Sequence, residues 1–247
     1  MPAPAQFSRA ALAALLTTLI ALSFAAAPAR AEPPRAVVEL FTSQGCSSCP
    51  PADRLMGELV RRGDLVTLTY PVDYWDYLGW HDTLASPENS RRQRDYAEAR
   101  GDRAVYTPQV VVNGATHVVG SDRKALGQVL ETSPALPVKV SLRRIDERIE
   151  ISVEGRLPAG TGMATVMVAF VAPPVDVAIP RGENRGRNIT YHHVVKAMRA
   201  VGVWEGGKAV FQIPASEIRK LNAGGCAALV QIEKAGRPGR ILGAGTL

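Results

Sequence analysis

The hydrophobic positions of this chain change their rhythm about halfway along it. Residues 36–41 (AVVELF) are a continuous apolar run that ends at Thr42, Ser43, Gln44 and Gly45, the pattern of a buried strand entering a loop. Ala52, Leu55, Met56 and Leu59 then fall at i, i+3, i+4 and i+7 behind Pro50 and Pro51, which suit a helix's first turn; Gly63 and Asp64 end it. Residues 65–70 (LVTLTY) predict a second strand, residues 87–100 a polar helix, and residues 110–112 and 116–119 a hairpin about Asn113-Gly114. Ser121 or Asp122 is placed to cap a helix carrying Ala125, Leu126, Val129 and Leu130. From Pro137 the rhythm becomes strict alternation: Val138, Val140 and Leu142; Ile149, Ile151 and Val153; Val166, Val168 and Phe170; then Phe211 and Ile213. The expectation is an α/β region of order β-α-β-α-β-β-α over residues 35–133, followed over residues 137–247 by a mainly antiparallel β region built as a sandwich.

Charge supports the division. The 247 residues carry 29 Lys and Arg against 23 Asp and Glu, a net +6. The excess is uneven, because residues 32–135 hold 11 basic and 14 acidic side chains whereas residues 136–247 hold 16 and 9. Ahead of both, residues 10–27 (AALAALLTTLIALSFAAA) follow Arg9 and precede Pro28, Ala29 and Ala31, which reads as a signal peptide over residues 1–31 cleaved after Ala31. With no second long apolar run, no transmembrane anchor is expected after cleavage, and the mature chain is expected in the periplasm or secreted, where cysteine pairs oxidise.

Of the three cysteines, Cys46 and Cys49 form a C-x-x-C between the first strand and the first helix, the context of a redox pair. A helix N-terminus stabilises a thiolate, so Cys46 is expected to be the nucleophile and Cys49 the resolving thiol. Far along the chain, Thr107-Pro108 leads straight into a strand. A proline there cannot donate to the ladder, and a cis peptide is a good reason for it.

The strings VELFTSQGCSSCPPADRL and VYTPQVVVNG resemble the thioredoxin superfamily, over roughly residues 35–133. The resemblance implies a thioredoxin-like N-terminal domain in which Pro108 faces the C-x-x-C helix of Cys46 and Cys49 and shapes the substrate groove; Thr107, just before it, is a candidate substrate-binding residue. With DYWDYLGW and GENRGRNITYHHVV, most of the mature chain is also similar to a family of uncharacterised secreted bacterial proteins with such a domain. Gln44-Gly45 and Ser47-Ser48 depart from thioredoxin's own residues around the cysteines, which leaves the direction of redox chemistry open.

The resulting expectation is an exported thiol–disulfide oxidoreductase, with no cofactor, acting on an envelope protein or a small thiol. Two alternatives stand beside it: a partner-binding module in which Cys46 and Cys49 are a structural disulfide, and a copper or zinc chaperone using both thiols. Trp75, Asp76 and Trp80 lie in an aromatic and acidic loop after the second strand, either as a substrate-facing rim or as rings covering the domain's own core; Asp73 or Asp76 is the candidate proton relay. His192 and His193 read as a strand pair pointing to opposite faces, and Cys226 as a small buried apolar residue. Arg181, Arg185, Arg187, Lys196 and Arg199 read as a solvated loop, and without interleaved stacking aromatics no nucleic-acid partner is expected.

Overall fold

The computed structural model describes residues 33–247, and the expected signal peptide lies outside them. Pro33–Leu247 form one compact unit. Its N-terminal half is mixed α/β and its C-terminal half is built mostly of antiparallel strands.

The first half follows the hydrophobic pattern. Strands β1 (Ala36–Thr42) and β2 (Leu65–Pro71) pair in parallel across helix α1 (Pro50–Arg62). After α2 (Pro87–Arg100), β3 (Gln109–Val112) joins β1 antiparallel, β4 (Thr116–Val119) follows, and α3 (Arg123–Thr132) closes the region. The sheet order is β2-β1-β3-β4. Ser86 and Asp122 cap α2 and α3 by accepting from the backbone N–H groups of Asn89 and Ala125. Every residue of β1 is buried, because both faces of this sheet are covered. Ala36, Val38 and Leu40 pack on α1 and α3, while Val37 and Phe41 look the other way.

What they face is the second half. Strands β5 (Lys139–Ile145), β6 (Arg148–Gly155) and β11 (Gly207–Pro214) make one sheet; β7 (Ala164–Val171), β10 (Val195–Trp204), β12 (Gly225–Lys234) and β13 (Arg237–Thr246) make another, ordered β10-β7-β12-β13. The two sheets enclose one core around Ile151, Phe170, Trp204 and Val230. The outer face of the four-stranded sheet, through Ala169, Leu229 and Ile241, shares a further core with Phe41, Tyr70 and Tyr96. Cys226 is a free thiol in that sheet, and burial pushes it up to about 11.

A small hairpin of β8 (Val175–Ala178) and β9 (Asn188–Tyr191) has its own apolar cluster, to which Trp80 and Leu84 of the first half contribute. His192 and His193 do not continue β9 as a strand pair. They sit at a bend beyond it, with His193 in the left-handed region at φ 47°. Their carbonyls serve the edge of β2 instead: His192 O accepts from Thr69 Oγ1 at 2.7 Å and His193 O from the Thr69 N–H at 3.0 Å. The hairpin is thereby fastened to a strand edge that would otherwise be unpaired.

Candidate functional site

The turn between β1 and α1 carries the two cysteines, joined as a disulfide. Pro50 and Pro51 occupy the first helical positions, where a missing N–H costs nothing, so the helix begins later than the cysteine pair. Cys49 is the N-cap, and its carbonyl accepts from Ala52 and Asp53 at 2.8 and 3.1 Å. Cys46 therefore lies in the turn ahead of the helix N-terminus, three residues before the N-cap; its own N–H donates to Ser43 O at 3.2 Å. Ser47 and Ser48 are exposed, but Cys46 is 2% and Cys49 0% accessible. Ser48 Oγ lies 3.4 Å from Cys46 Sγ.

Trp75 links the cysteine turn to the residues before β3. A Cβ on Gly45 would stand 3.0 Å from Trp75 Cβ and 3.2 Å from Trp75 O, so the absence of a side chain lets Trp75 pack closely on the residue before Cys46. The indole Nε1 donates to Thr107 Oγ1 at 2.7 Å. The Thr107-Pro108 peptide is cis, and Pro108 is buried. Gly120 stands where a Cβ would lie 3.2 Å from Pro108 Cβ and 3.3 Å from Ala52 Cβ, which places the proline beside the first turn of α1. Trp80 Nε1 donates to Gln44 Oε1 at 2.8 Å. Asp76 is bonded to His81 and accepts from the Asp82 N–H, and Asp73 accepts from the Ser90 hydroxyl; these bonds run within the loop and to α2, and none of them goes to the cysteine turn.

The carboxylates that do border this turn are Asp82 and Asp53. Asp82 Oδ2 accepts from the Gln44 N–H at 2.7 Å, and burial raises its pKa above the ordinary value of an aspartate. Asp53 sits one helical turn after Cys49 and is 2% accessible. Thr42 Oγ1 donates to its Oδ1 at 2.8 Å, but its Oδ2 is buried without a partner. Burial, together with the charge of Asp82, outweighs the Thr42 bond and pushes Asp53 up to about 8. The Tyr191 hydroxyl is another buried group without a partner; burial first, then the charges of Asp53 and Asp82, hold its proton on. An acidic residue at the fourth helical position reads in sequence as a favourable helix charge, so no local signal marked Asp53 as buried.

The second half of the chain also reaches the turn, which sequence spacing does not foretell. Asn184 is wholly buried and its Nδ2 donates to Gln44 O at 2.9 Å and Cys46 O at 2.8 Å. Beside it, Glu183 accepts from the Ser47 N–H at 3.3 Å. Among the described residues, no group of three or more His, Cys, Asp or Glu is arranged to hold a metal ion, and no helix is long and apolar enough to cross a membrane.

Comparison with known proteins gives relatives without a reaction. A crystal structure of an Agrobacterium tumefaciens protein is similar at 41% identity and a TM-score of 0.78, over 87% of this chain and 95% of that one. HBP35 of Porphyromonas gingivalis shares the fold at 12% identity and a TM-score of 0.57, over 87% of this chain and 75% of that one. No curated protein matches significantly. The match to a family model spans residues 37–231, from β1 through the cysteine turn and the β8–β9 hairpin into β12, and on that match the chain belongs to the family described as proteins of unknown function, DUF1223.

Proposed function

We propose that the N-terminal half is a thioredoxin-like domain, the C-terminal half a β-sandwich that orients it, and the chain an exported thiol–disulfide oxidoreductase. The observation that carries this reading is the Cys46–Cys49 disulfide on the N-cap of α1 with Asp53, a buried and protonatable carboxylate, one turn behind it. The sheet order β2-β1-β3-β4 supports the fold. A disulfide suits an oxidising compartment, in agreement with a periplasmic or secreted mature chain.

In this reading the reduced Cys46 thiolate attacks a substrate disulfide and forms a mixed disulfide, releasing one substrate thiolate. Cys49 then loses its proton and attacks Cys46 Sγ, which closes the Cys46–Cys49 bond and releases the second thiolate. Asp53 takes the proton of Cys49, and in the reverse direction returns it when Cys49 leaves. A group titrating at about 8 is matched to a thiol of about 8.5, which is the condition for efficient proton exchange near neutral pH. Thr107 and Pro108 form the floor beside the pair, with Trp75 and Trp80 as its rim.

The burial of both sulfurs favours a second reading, a partner-binding module stapled by the disulfide. Equilibration of the mature chain in glutathione buffers separates the two. The oxidoreductase reading expects a potential between about −270 and −120 mV and loss of exchange in Cys46→Ser; a potential below about −300 mV with an unreactive pair leaves only the staple.

A further inference from the structure

The loop that joins β8 to β9, residues 179–187, is built against the cysteine turn. It is held internally: the Ile179 N–H donates to Arg187 O at 2.9 Å, the Gly186 N–H to Ile179 O at 2.7 Å and the Arg187 N–H to Asn184 O at 3.1 Å. From that frame Asn184 bonds the carbonyls of Gln44 and Cys46, and Glu183 receives the Ser47 N–H. At Gly182 a Cβ would stand 3.1 Å from Trp80 Cβ, so the loop also lies directly on the aromatic rim. Trp75 lies against Gly45 at the same turn. Asn184 spends both N–H groups on the cysteine turn while its own Oδ1 is buried without a partner, so this contact is made at a cost in polar satisfaction.

The consequence is steric. Disulfide exchange needs the incoming sulfur to reach Cys46 Sγ, and exchange rates depend on that access. Cys46 is almost wholly covered while Ser47 and Ser48 beside it are exposed, so an incoming sulfur has to approach past the residues packed around the turn. A disulfide set in the surface of a folded protein brings a broad shoulder that meets the loop and the indoles; a slim disulfide does not.

We infer that the pair exchanges with low-molecular-weight disulfides in preference to protein disulfides, and that the 179–187 loop, anchored by Asn184, is the positioning and selectivity element. The inference rests on the oxidoreductase reading and names its substrate class. The balance is that of a dithiol oxidation: Cys46 and Cys49 together give two electrons and two protons to one substrate R–S–S–R, yielding two R–SH and the Cys46–Cys49 bond.

The test is a single-turnover measurement on the pre-reduced mature chain, mixed with hydroxyethyl disulfide or with insulin and quenched by alkylation. Hydroxyethyl disulfide is expected to oxidise the wild-type chain at least about tenfold faster per disulfide, and Asn184→Ala to raise the insulin rate about tenfold while moving the hydroxyethyl disulfide rate less than about twofold. Should Asn184→Ala disturb folding, the wild-type chain and Glu183→Ala are compared by labelling reduced Cys46 with iodoacetamide and with a maleimide on a long polyethylene glycol. Selective slowing of the bulky reagent, relieved in Glu183→Ala, supports the inference. Equal wild-type rates with both disulfides, a parallel change of both in Asn184→Ala, or size-independent labelling overturns the selectivity and leaves the oxidoreductase reading standing. Exchange with neither disulfide overturns both.

Discussion

Glu39 and Asp53 are buried to nearly the same depth, on β1 and α1 of the same half of the molecule, and are treated in opposite ways. Glu39 Oε1 accepts from Arg92 Nε and Nη2 at 2.9 and 2.8 Å, and its Oε2 accepts from the Tyr96 hydroxyl at 2.5 Å. The same Tyr96 oxygen accepts from Arg92 and from Gln231 Nε2, and Gln231 Nε2 also donates to Gly239 O. Every polar group in this network has a partner, and the network fastens β1 and α2 to β12 and β13. Asp53 has one partner, Thr42, and an orphaned oxygen. A buried carboxylate that is fully paired holds elements together; one left half-paired keeps its proton to neutral pH and is available for proton traffic.

The comparison is broken most severely by removing the cation of the paired site. Arg92→Met strands the Glu39 charge in the core, and urea denaturation is expected to show a loss of about 3–5 kcal/mol. A loss below about 1 kcal/mol would mean that water reaches Glu39 and that the network is not the fastening described.

Asp53→Asn acts at the other site and with the opposite sign at alkaline pH. The folded value of about 8 lies above the ordinary 3.8, so between these limits the native chain holds a proton that the unfolded chain has lost. Stability attributable to this group is therefore present at low pH and is lost as pH rises toward about 8, by up to about 1.4 kcal/mol per pH unit. Denaturation series at pH 5, 6, 7 and 8 should show a flatter profile for Asp53→Asn than for the wild-type chain; identical slopes would place the proton elsewhere.

A smaller effect sharpens the contrast. Thr42→Val removes the hydrogen bond that the Asp53 carboxyl accepts and is expected to cost about 1 kcal/mol while raising the Asp53 midpoint, read by carboxyl NMR titration. The smallest is Tyr191→Phe. Its hydroxyl is buried without a partner, so deletion should be neutral or stabilising by less than about 1 kcal/mol in thermal melts, whereas a clear loss would reveal a partner for it.

Legibility in the sequence tracked how many faces of an element are buried. Strands β5 and β6 bury one face and alternate cleanly, so Val140, Leu142, Ile149, Ile151 and Val153 announced them. β12 and β13 are covered on both faces and read as GCAALVQI and ILGAG, runs with no period of two, and neither was anticipated. The β8–β9 hairpin is short, and its Pro, Gly and Arg content reads as a solvated loop. The elements of the first half were placed to within a residue or so, because proline, glycine and the Asp122 cap punctuate them.

The candidate site divides in the same way. The sequence by itself determined the cysteine spacing, the strand before it, the proline-led helix after it and the Thr107-Pro108 step before β3, all of which are encoded by short-range rules of backbone geometry. Only the tertiary structure decided that Asp53 lies buried behind the pair, and that Asn184, 138 residues beyond Cys46, bonds the Cys46 carbonyl. A helix charge and a loop amide look the same in sequence whether water or protein surrounds them. Burial is set by what packs against an element from elsewhere in the chain, and that information is not local.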